Sequence, residues 1–165
     1  MKTHRFVTLS FLATWLATSL VKADPSAVGH YGGTTMGPVL PTLAAFDSSA
    51  RGIISNLEIV GLQAYCVTTL PGSGAQPAQV RSTNITRRET PQLRLRANGT
   101  FTGSFVLDDP GRLDFQNAHV RVTGRLSGRR GAVTFVITQN ESFTDGSSIA
   151  CGGTVRVPVR LAQRR

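Results

Sequence analysis

The feature that most constrains this chain is a two-residue alternation of apolar and polar side chains, cut by turn residues roughly every eight to twelve positions. Leu93, Leu95 and Ala97 alternate with Gln92, Arg94 and Arg96. Beyond Asn98-Gly99, Phe101, Phe105 and Leu107 alternate with Thr102, Ser104 and Val106. A period of two sends successive side chains to opposite faces of an extended backbone, one toward a core and one toward water. Asn98-Gly99 is the favoured pair for a two-residue type I′ turn, so a hairpin is expected here. Asp108-Asp109-Pro110-Gly111 is expected to end it, with proline pre-set for a turn and glycine tolerant of one.

The pattern continues along the chain. Ala118, Val120 and Val122 alternate with His119, Arg121 and Thr123, and Val133, Phe135 and Ile137 with Thr134, Val136 and Thr138. Gly124, Gly128 and Gly131 predict a bend and a turn around Arg129-Arg130. Val155, Val157, Val159 and Leu161 share one face of a last strand, with Arg156 and Arg160 on the other. Pro158 has no N–H to give a ladder, which predicts a sheet edge or a bulge there. Upstream, residues 39–46, 53–60 and 62–68 read as strands separated by Asp47-Ser48-Ser49 and Gly61, and residues 71–77 as a loop. No segment carries a helical stripe. About eight to ten short strands must pack two sheets or close a barrel to bury one face each. The expected fold is therefore all-β, an antiparallel meander forming a β-sandwich or flattened barrel.

A length of 165 residues suits a single domain, and 40% hydrophobic residues suffice for a packed core. The charged fraction of 16% argues against disorder. No apolar run reaches the roughly 18–20 residues of a membrane span, which excludes a multi-span membrane protein. The N-terminus carries a basic head of Lys2, His4 and Arg5, then a mostly apolar stretch over residues 6–20, then Val21-Lys22-Ala23. That is the pattern of a secretory signal peptide cleaved after Ala23. Thr8, Ser10, Thr14, Thr18 and Ser19 dilute the stretch too much for an uncleaved anchor, and no cysteine follows it to take a bacterial lipid. The expected organisation is a signal peptide over 1–23, a flexible lead-in over 24–30 and one domain over 31–165, secreted to the extracellular space. Losing Lys2, Arg5 and Lys22 takes the formal charge from +9 to +6, leaves arginine as the only basic side chain besides histidine, and removes Trp15, the single tryptophan.

Cys66 and Cys151 are the two cysteines. An even count in an oxidising compartment predicts one intramolecular disulfide between them. A metal site is a poor alternative, since the pair lacks CxxC spacing and only His30 and His119 remain to assist.

Tyr31-Gly32-Gly33-Thr34-Thr35-Met36-Gly37 followed by Cys66, and Val122-Thr123-Gly124-Arg125-Leu126-Ser127-Gly128 followed by Cys151-Gly152-Gly153-Thr154-Val155-Arg156, resemble the two halves of small secreted β-domains of actinobacteria-like, high-GC bacteria. The resemblance covers most of residues 31–161. It departs at Met36, where those domains often have glutamine, and at Val157-Pro158, where they often have an aromatic residue. Arginine in place of lysine also fits GC-rich codon usage. The resemblance implies a fold and a compartment, and no chemistry.

Catalysis would need a convergent pair of acids or a nucleophile with its base. The acids past the signal segment are Asp24, Asp47, Glu58, Glu89, Asp108, Asp109, Asp114, Glu141 and Asp145; most lie in expected turns, and Glu58 alone is well inside an expected strand. His119 falls on the polar face of its strand. No Gly-x-Ser-x-Gly elbow, His-Glu-x-x-His pair or phosphate loop occurs. No enzymatic activity, cofactor or metal is expected. The arginines carry the stronger signal. Arg94, Arg96, Arg121, Arg125, Arg156 and Arg160 all fall on polar strand faces, where neighbouring strands would gather them into a ladder. Guanidinium forks suit phosphate, sulfate and carboxylate. An ordinary solvated sheet face carries the same pattern, and no aromatic residues interleave as a nucleic-acid platform requires. Neutral-sugar binding is weakened by the loss of Trp15. Asn84, Asn98 and Asn140 head Asn-x-Ser/Thr triplets, which are glycosylation acceptors in a eukaryotic host only.

The expected function is a secreted, non-enzymatic β-domain with a binding or structural role at the cell exterior. Its arginine-rich face would contact anionic envelope polymers such as acidic polysaccharide. The alternative is a secreted protein-binding module, an inhibitor or effector, acting through residues 71–77 or other hairpin tips. An enzyme would instead require a convergent pocket holding His119 and an acid.

Overall fold

The computed structural model describes residues 27–108 and 115–162. The expected signal peptide, residues 24–26 of the lead-in, the Asp109-Pro110-Gly111 part of the expected turn and residues 163–165 lie outside them. The described residues form ten strands: β1 (Gly29–Met36), β2 (Pro41–Ser48), β3 (Ile53–Leu70), β4 (Gly74–Ala75), β5 (Gln79–Ile85), β6 (Leu93–Arg94), β7 (Thr100–Leu107), β8 (Ala118–Ser127), β9 (Arg130–Ser142) and β10 (Ser148–Leu161). Every pairing is antiparallel, in the order β4-β3-β2-β1-β10-β9-β8-β7, with β5 and β6 also on β3. A further pairing between β3 and β10 closes β3-β2-β1-β10 into a small barrel-like ring. The chain is all-β, as the alternation implies. It consists of two meanders, β1–β3 and β7–β10, joined where β10 meets both β1 and β3.

Alternation predicts the inside correctly through the second meander. Val120, Val122, Val133, Phe135, Ile137, Val157 and Val159 are all buried. Tyr31 stacks on Phe46 with ring centroids 5.4 Å apart, and Phe46 meets Phe101 edge-on at 5.7 Å. This aromatic column ties β1 and β2 to β7. The phenol of Tyr31 is fully buried and donates to the carbonyl of Gly128 at 2.6 Å, anchoring β1 to the β8–β9 hairpin. Burying a phenol demands such a partner. Cys66 and Cys151 form the expected disulfide, directly opposite in the β3–β10 ladder with Cα atoms 4.0 Å apart.

Several local expectations are corrected. Residues 53–60 and 62–68 belong to one strand, β3, rather than two. Asn56 (φ 52°) and Gly61 (φ 73°) sit in left-handed conformations within it. Each coincides with a register shift, so the inward set passes from Ile54 to Leu57 and Ile59, then to Leu62, Ala64 and Cys66. A bulge adds one residue and restores the apolar side chains to the core side. The peptide groups at Gly61 are satisfied by side chains: its N–H donates to Asn84 Oδ1 at 2.8 Å, and the buried Thr42 hydroxyl donates to its carbonyl at 2.7 Å. Read in sequence, the loss of alternation at Gly61 looks like a break.

Asn98-Gly99 does not make the expected two-residue turn. The N–H of Gly99 donates to the carbonyl of Arg96 and the N–H of Arg96 to that of Thr100, while only Gly99 has positive φ. This is a type I turn followed by a glycine bulge. The preceding strand is also shorter than expected: β6 covers only Leu93–Arg94, and its partner is β3 at Ile53 and Ile54. The β8–β9 turn falls on Gly128-Arg129, because Arg130 already pairs with Ser127. Strand β1 begins at Gly29, within the expected lead-in, and β4 lies within the loop expected over residues 71–77.

Pro158 is not in an edge strand. Strand β10 is central, paired with β9 from Ser148 to Arg160. The N–H of Ala162 donates to His30 of β1, so Pro158, four residues earlier, turns its missing N–H toward the β1 side. There the β1–β10 ladder has ended, since it comprises only Tyr31↔Leu161 and Gly32↔Arg160. The proline therefore occupies a gap in the ladder. Gly33 explains how the gap is packed: a Cβ on it would lie 1.8 Å from the carbonyl oxygen of Pro158.

Candidate functional site

Registers on β7, β8, β9 and β10 run without a shift, so their outward positions form aligned rows. One row is Thr102, Thr123, Thr134 and Arg156; its neighbours are Ser104, Arg121, Val136 and Thr154 on one side and Thr100, Arg125, Ala132 and Pro158 on the other. Next comes Ser127, Arg130 and Arg160. Arg121, Arg125, Arg156 and Arg160 are thus gathered on one exposed face, as the sequence suggests. Arg130 joins them; a turn expected at Arg129-Arg130 concealed it, and the two-residue spacing from Ala132 was the available signal. Among the described residues, the outward positions of these four strands hold no aspartate or glutamate, and no ion pair engages these arginines.

The other two arginines stand apart. Arg94 lies on β6 opposite Ile53. Arg96 pairs through its backbone with Thr100, which itself pairs with Arg125, so it extends the face at its rim. Arg125, Arg156, Thr123 and Thr134 line a shallow depression of about 240 Å³. Arg125 and Arg156 stand on the strands either side of β9 and one row apart, about 12 Å between backbones from strand spacing and rise, a span that two long side chains lining the same depression can close around one oxyanion.

Beside this depression, where β1 leaves β10, opens a cleft of about 570 Å³. Val136 and Thr138 of β9 and Gly152, Thr154 and Arg156 of β10 line it, together with the β1–β2 turn and Tyr65 of β3. Buried Gln63 holds that turn in place. Its Oε1 accepts the N–H groups of Val39 at 2.8 Å and Leu40 at 3.2 Å, and its Nε2 donates to the carbonyl of Leu40 at 2.5 Å. Tyr65, unlike Tyr31, points outward with 54% exposure. The bulge at Gly61 sets which positions of this part of β3 face out.

His119 lies in an outward row between Val106 and Thr138. On β1 and β2, His30 Nδ1 lies 2.8 Å from Asp47 Oδ1, and Asn56 Nδ2 donates to Asp47 Oδ2 at 2.7 Å. The Asn56 hydrogen bond chiefly holds the Asp47 carboxyl below its usual range; burial, the next largest influence, opposes it, and the His30 hydrogen bond, the His30 charge and the Arg87 charge add smaller lowering effects. Ser48 pairs with Gly29 in the alternate position and so faces away from this dyad. Glu58 pairs with Arg87 at 3.0 Å on the surface. No cluster of three or more metal-binding side chains occurs among the described residues, and no helix there is long and apolar enough to cross a membrane. Of the glycosylation triplets, Asn98 is exposed in its turn with Oδ1 accepting from the Thr100 N–H and hydroxyl, Asn84 Oδ1 is engaged by Gly61, and Asn140 lies within β9 opposite Ala150. No family model, curated protein or solved structure matches this chain.

Proposed function

We propose that this protein is an exported, non-enzymatic binding domain that holds anionic polymers of the cell exterior on the outer face of β7–β10. Export rests on the N-terminal signal pattern and agrees with the disulfide, and the likeness to small secreted bacterial β-domains points the same way. The single observation that carries the binding assignment is the composition of that face: Arg121, Arg125, Arg130, Arg156 and Arg160 with no carboxylate among its described outward positions. Arg130 and Arg160 stand directly opposite one another. Like charges in that relation destabilise a sheet, and a bound anion reverses the sign of the effect. A feature that costs stability without a structural return is characteristic of a functional surface.

The test is chromatography on a sulfated-polysaccharide resin. Retention should be salt-sensitive, and the combined variant Arg121→Gln, Arg125→Gln, Arg156→Gln, Arg160→Gln should elute at markedly lower salt. The slope of log K against log salt should fall by about one per arginine that contacts the polymer. Unchanged retention in a variant with an unchanged melting curve refutes the proposal.

A second reading, a protein-binding module, draws on a different observation. Met36, Val39, Leu40 and Leu43 are exposed at and beside the β1–β2 turn, with Val60 directly opposite Leu43. Clustered exposed apolar side chains mark interaction surfaces. On this reading the contact is made by a hairpin tip other than residues 71–77, the one at residues 37–40. Salt-insensitive capture of a specific protein, lost in Val39→Ser/Leu40→Ser, would favour it.

A further inference from the structure

The face and the cleft share a wall. Arg156 lines both the depression around Thr123 and Thr134 and the larger cleft that reaches Tyr65. We infer that the ligand is an acidic polysaccharide, with an oxyanion substituent held by Arg125 and Arg156 and an adjacent sugar ring lying in the cleft against Tyr65. This rests on the polyanion reading above and narrows its ligand class.

Cleft chemistry selects among polyanions. A sugar ring presents an apolar C–H face and a rim of hydroxyls, so a site for it needs one exposed aromatic face and nearby hydrogen-bonding groups. Tyr65 supplies the ring, with 54% of its surface accessible. Thr138 and Thr154 are exposed on the adjoining strands. Gly152 leaves the floor open, since a Cβ there would meet nothing within 4 Å. A volume of about 570 Å³ falls within the roughly 300–1,000 Å³ of small-ligand sites. The Gln63 amide is engaged by the β1–β2 turn and serves to hold the wall. Single-stranded nucleic acid is disfavoured because successive bases need successive stacking rings, and among the described residues Tyr65 is the one aromatic side chain lining this cleft. Inorganic polyphosphate has no ring for Tyr65 to meet.

Two ligand sources share the required chemistry, uronate-bearing and sulfate-bearing glycans, and both belong in the assay. Binding of the full secreted chain is measured by calorimetry at fixed ionic strength against a polyuronate, a sulfated polysaccharide and long-chain polyphosphate, for wild type, Tyr65→Ala, Tyr65→Phe and Arg156→Gln. Tyr65→Ala should weaken at least one of the two glycans fivefold or more and leave polyphosphate within twofold. Tyr65→Phe should keep glycan affinity, because the ring makes the contact. Arg156→Gln should weaken glycan and polyphosphate alike. The glycan that responds to Tyr65 identifies the substituent. If Tyr65→Ala leaves both glycans unchanged, or weakens polyphosphate equally, the cleft assignment is wrong while the charged face survives. If wild type binds none of the three, the polyanion reading itself fails. Tyr65 is exposed, so matched melting curves keep misfolding from mimicking either result.

Discussion

Gly33 and Gly152 make the same substitution, glycine to alanine, a test of how β1 and β10 approach one another. Neither residue has positive φ, so alanine meets no backbone penalty at either. Space alone decides the outcome. At Gly33 a new Cβ would stand 1.8 Å from the Pro158 carbonyl oxygen and 2.9 Å from its carbonyl carbon, both backbone atoms that cannot swing aside. Strand β1 cannot retreat either. Tyr31, two residues away, is stacked on Phe46 and hydrogen-bonded to Gly128, and β1 is laddered to β2 along its length. Overpacking of this kind costs about 1–3 kcal/mol, against about 0.4–1 kcal/mol returned by the less flexible unfolded chain. Gly33→Ala should therefore destabilise by about 1–2 kcal/mol. At Gly152 the new methyl meets nothing within 4 Å, so only the unfolded-chain effect remains and Gly152→Ala should stabilise by about 0.5 kcal/mol. Urea denaturation of the two variants against wild type reads both values. In a thermal scan the Gly33 variant should melt about 3–8 °C lower. The reasoning is refuted if Gly33→Ala is neutral or stabilising, or if the two variants move in the same direction by similar amounts.

Two further outcomes are expected. Replacing Cys66 and Cys151 by alanine releases a link spanning 85 residues, for which the chain-entropy model gives about 4.5 kcal/mol as an upper figure; urea denaturation should show a loss of about 2–4.5 kcal/mol, and a loss below about 1 kcal/mol would contradict it. Asp47 has a lowered pKa, so it contributes stability above its unfolded value of about 4 and loses that contribution as pH falls through the folded value. Asp47→Asn should accordingly flatten the decline of stability with acid below about pH 4, and an identical acid limb in both proteins would remove the assigned role of the Asn56 and His30 contacts.

The second meander was legible almost residue by residue. Within β8, β9 and β10 the buried positions recur with a period of two, and the ladders among these strands have no shift to disturb it. The same regularity made Arg121, Arg125, Arg156 and Arg160 recognisable as one polar face before any strand order was known. Between Ile53 and Leu70 legibility fails for a definite reason. Asn56 and Gly61 each insert a residue, so Leu62 and Ala64 resume the core face out of phase with Leu57 and Ile59. Tyr65 emerges on the outside only because of that change of phase. Arg94 was misplaced because β6 pairs with β3, more than thirty positions away in the chain, and not with the hairpin partner suggested by the nearest turn.

Alternation, turn residues and a pair of cysteines determined that this protein is all-β, which side of most strands is buried and which sulfurs are joined, because each depends on chemistry repeated within a few residues. The neighbours of β10 were decided by the tertiary structure alone. Its early part lies against β3 and its end against β1, and Pro158 marks the interval between them. That interval creates the cleft and brings Arg156 to its wall. Strand order is a competition among distant pairings, settled by how Tyr31, Phe46 and Phe101 stack and by how closely Gly33 lets two backbones approach, and none of these is a property of a local segment.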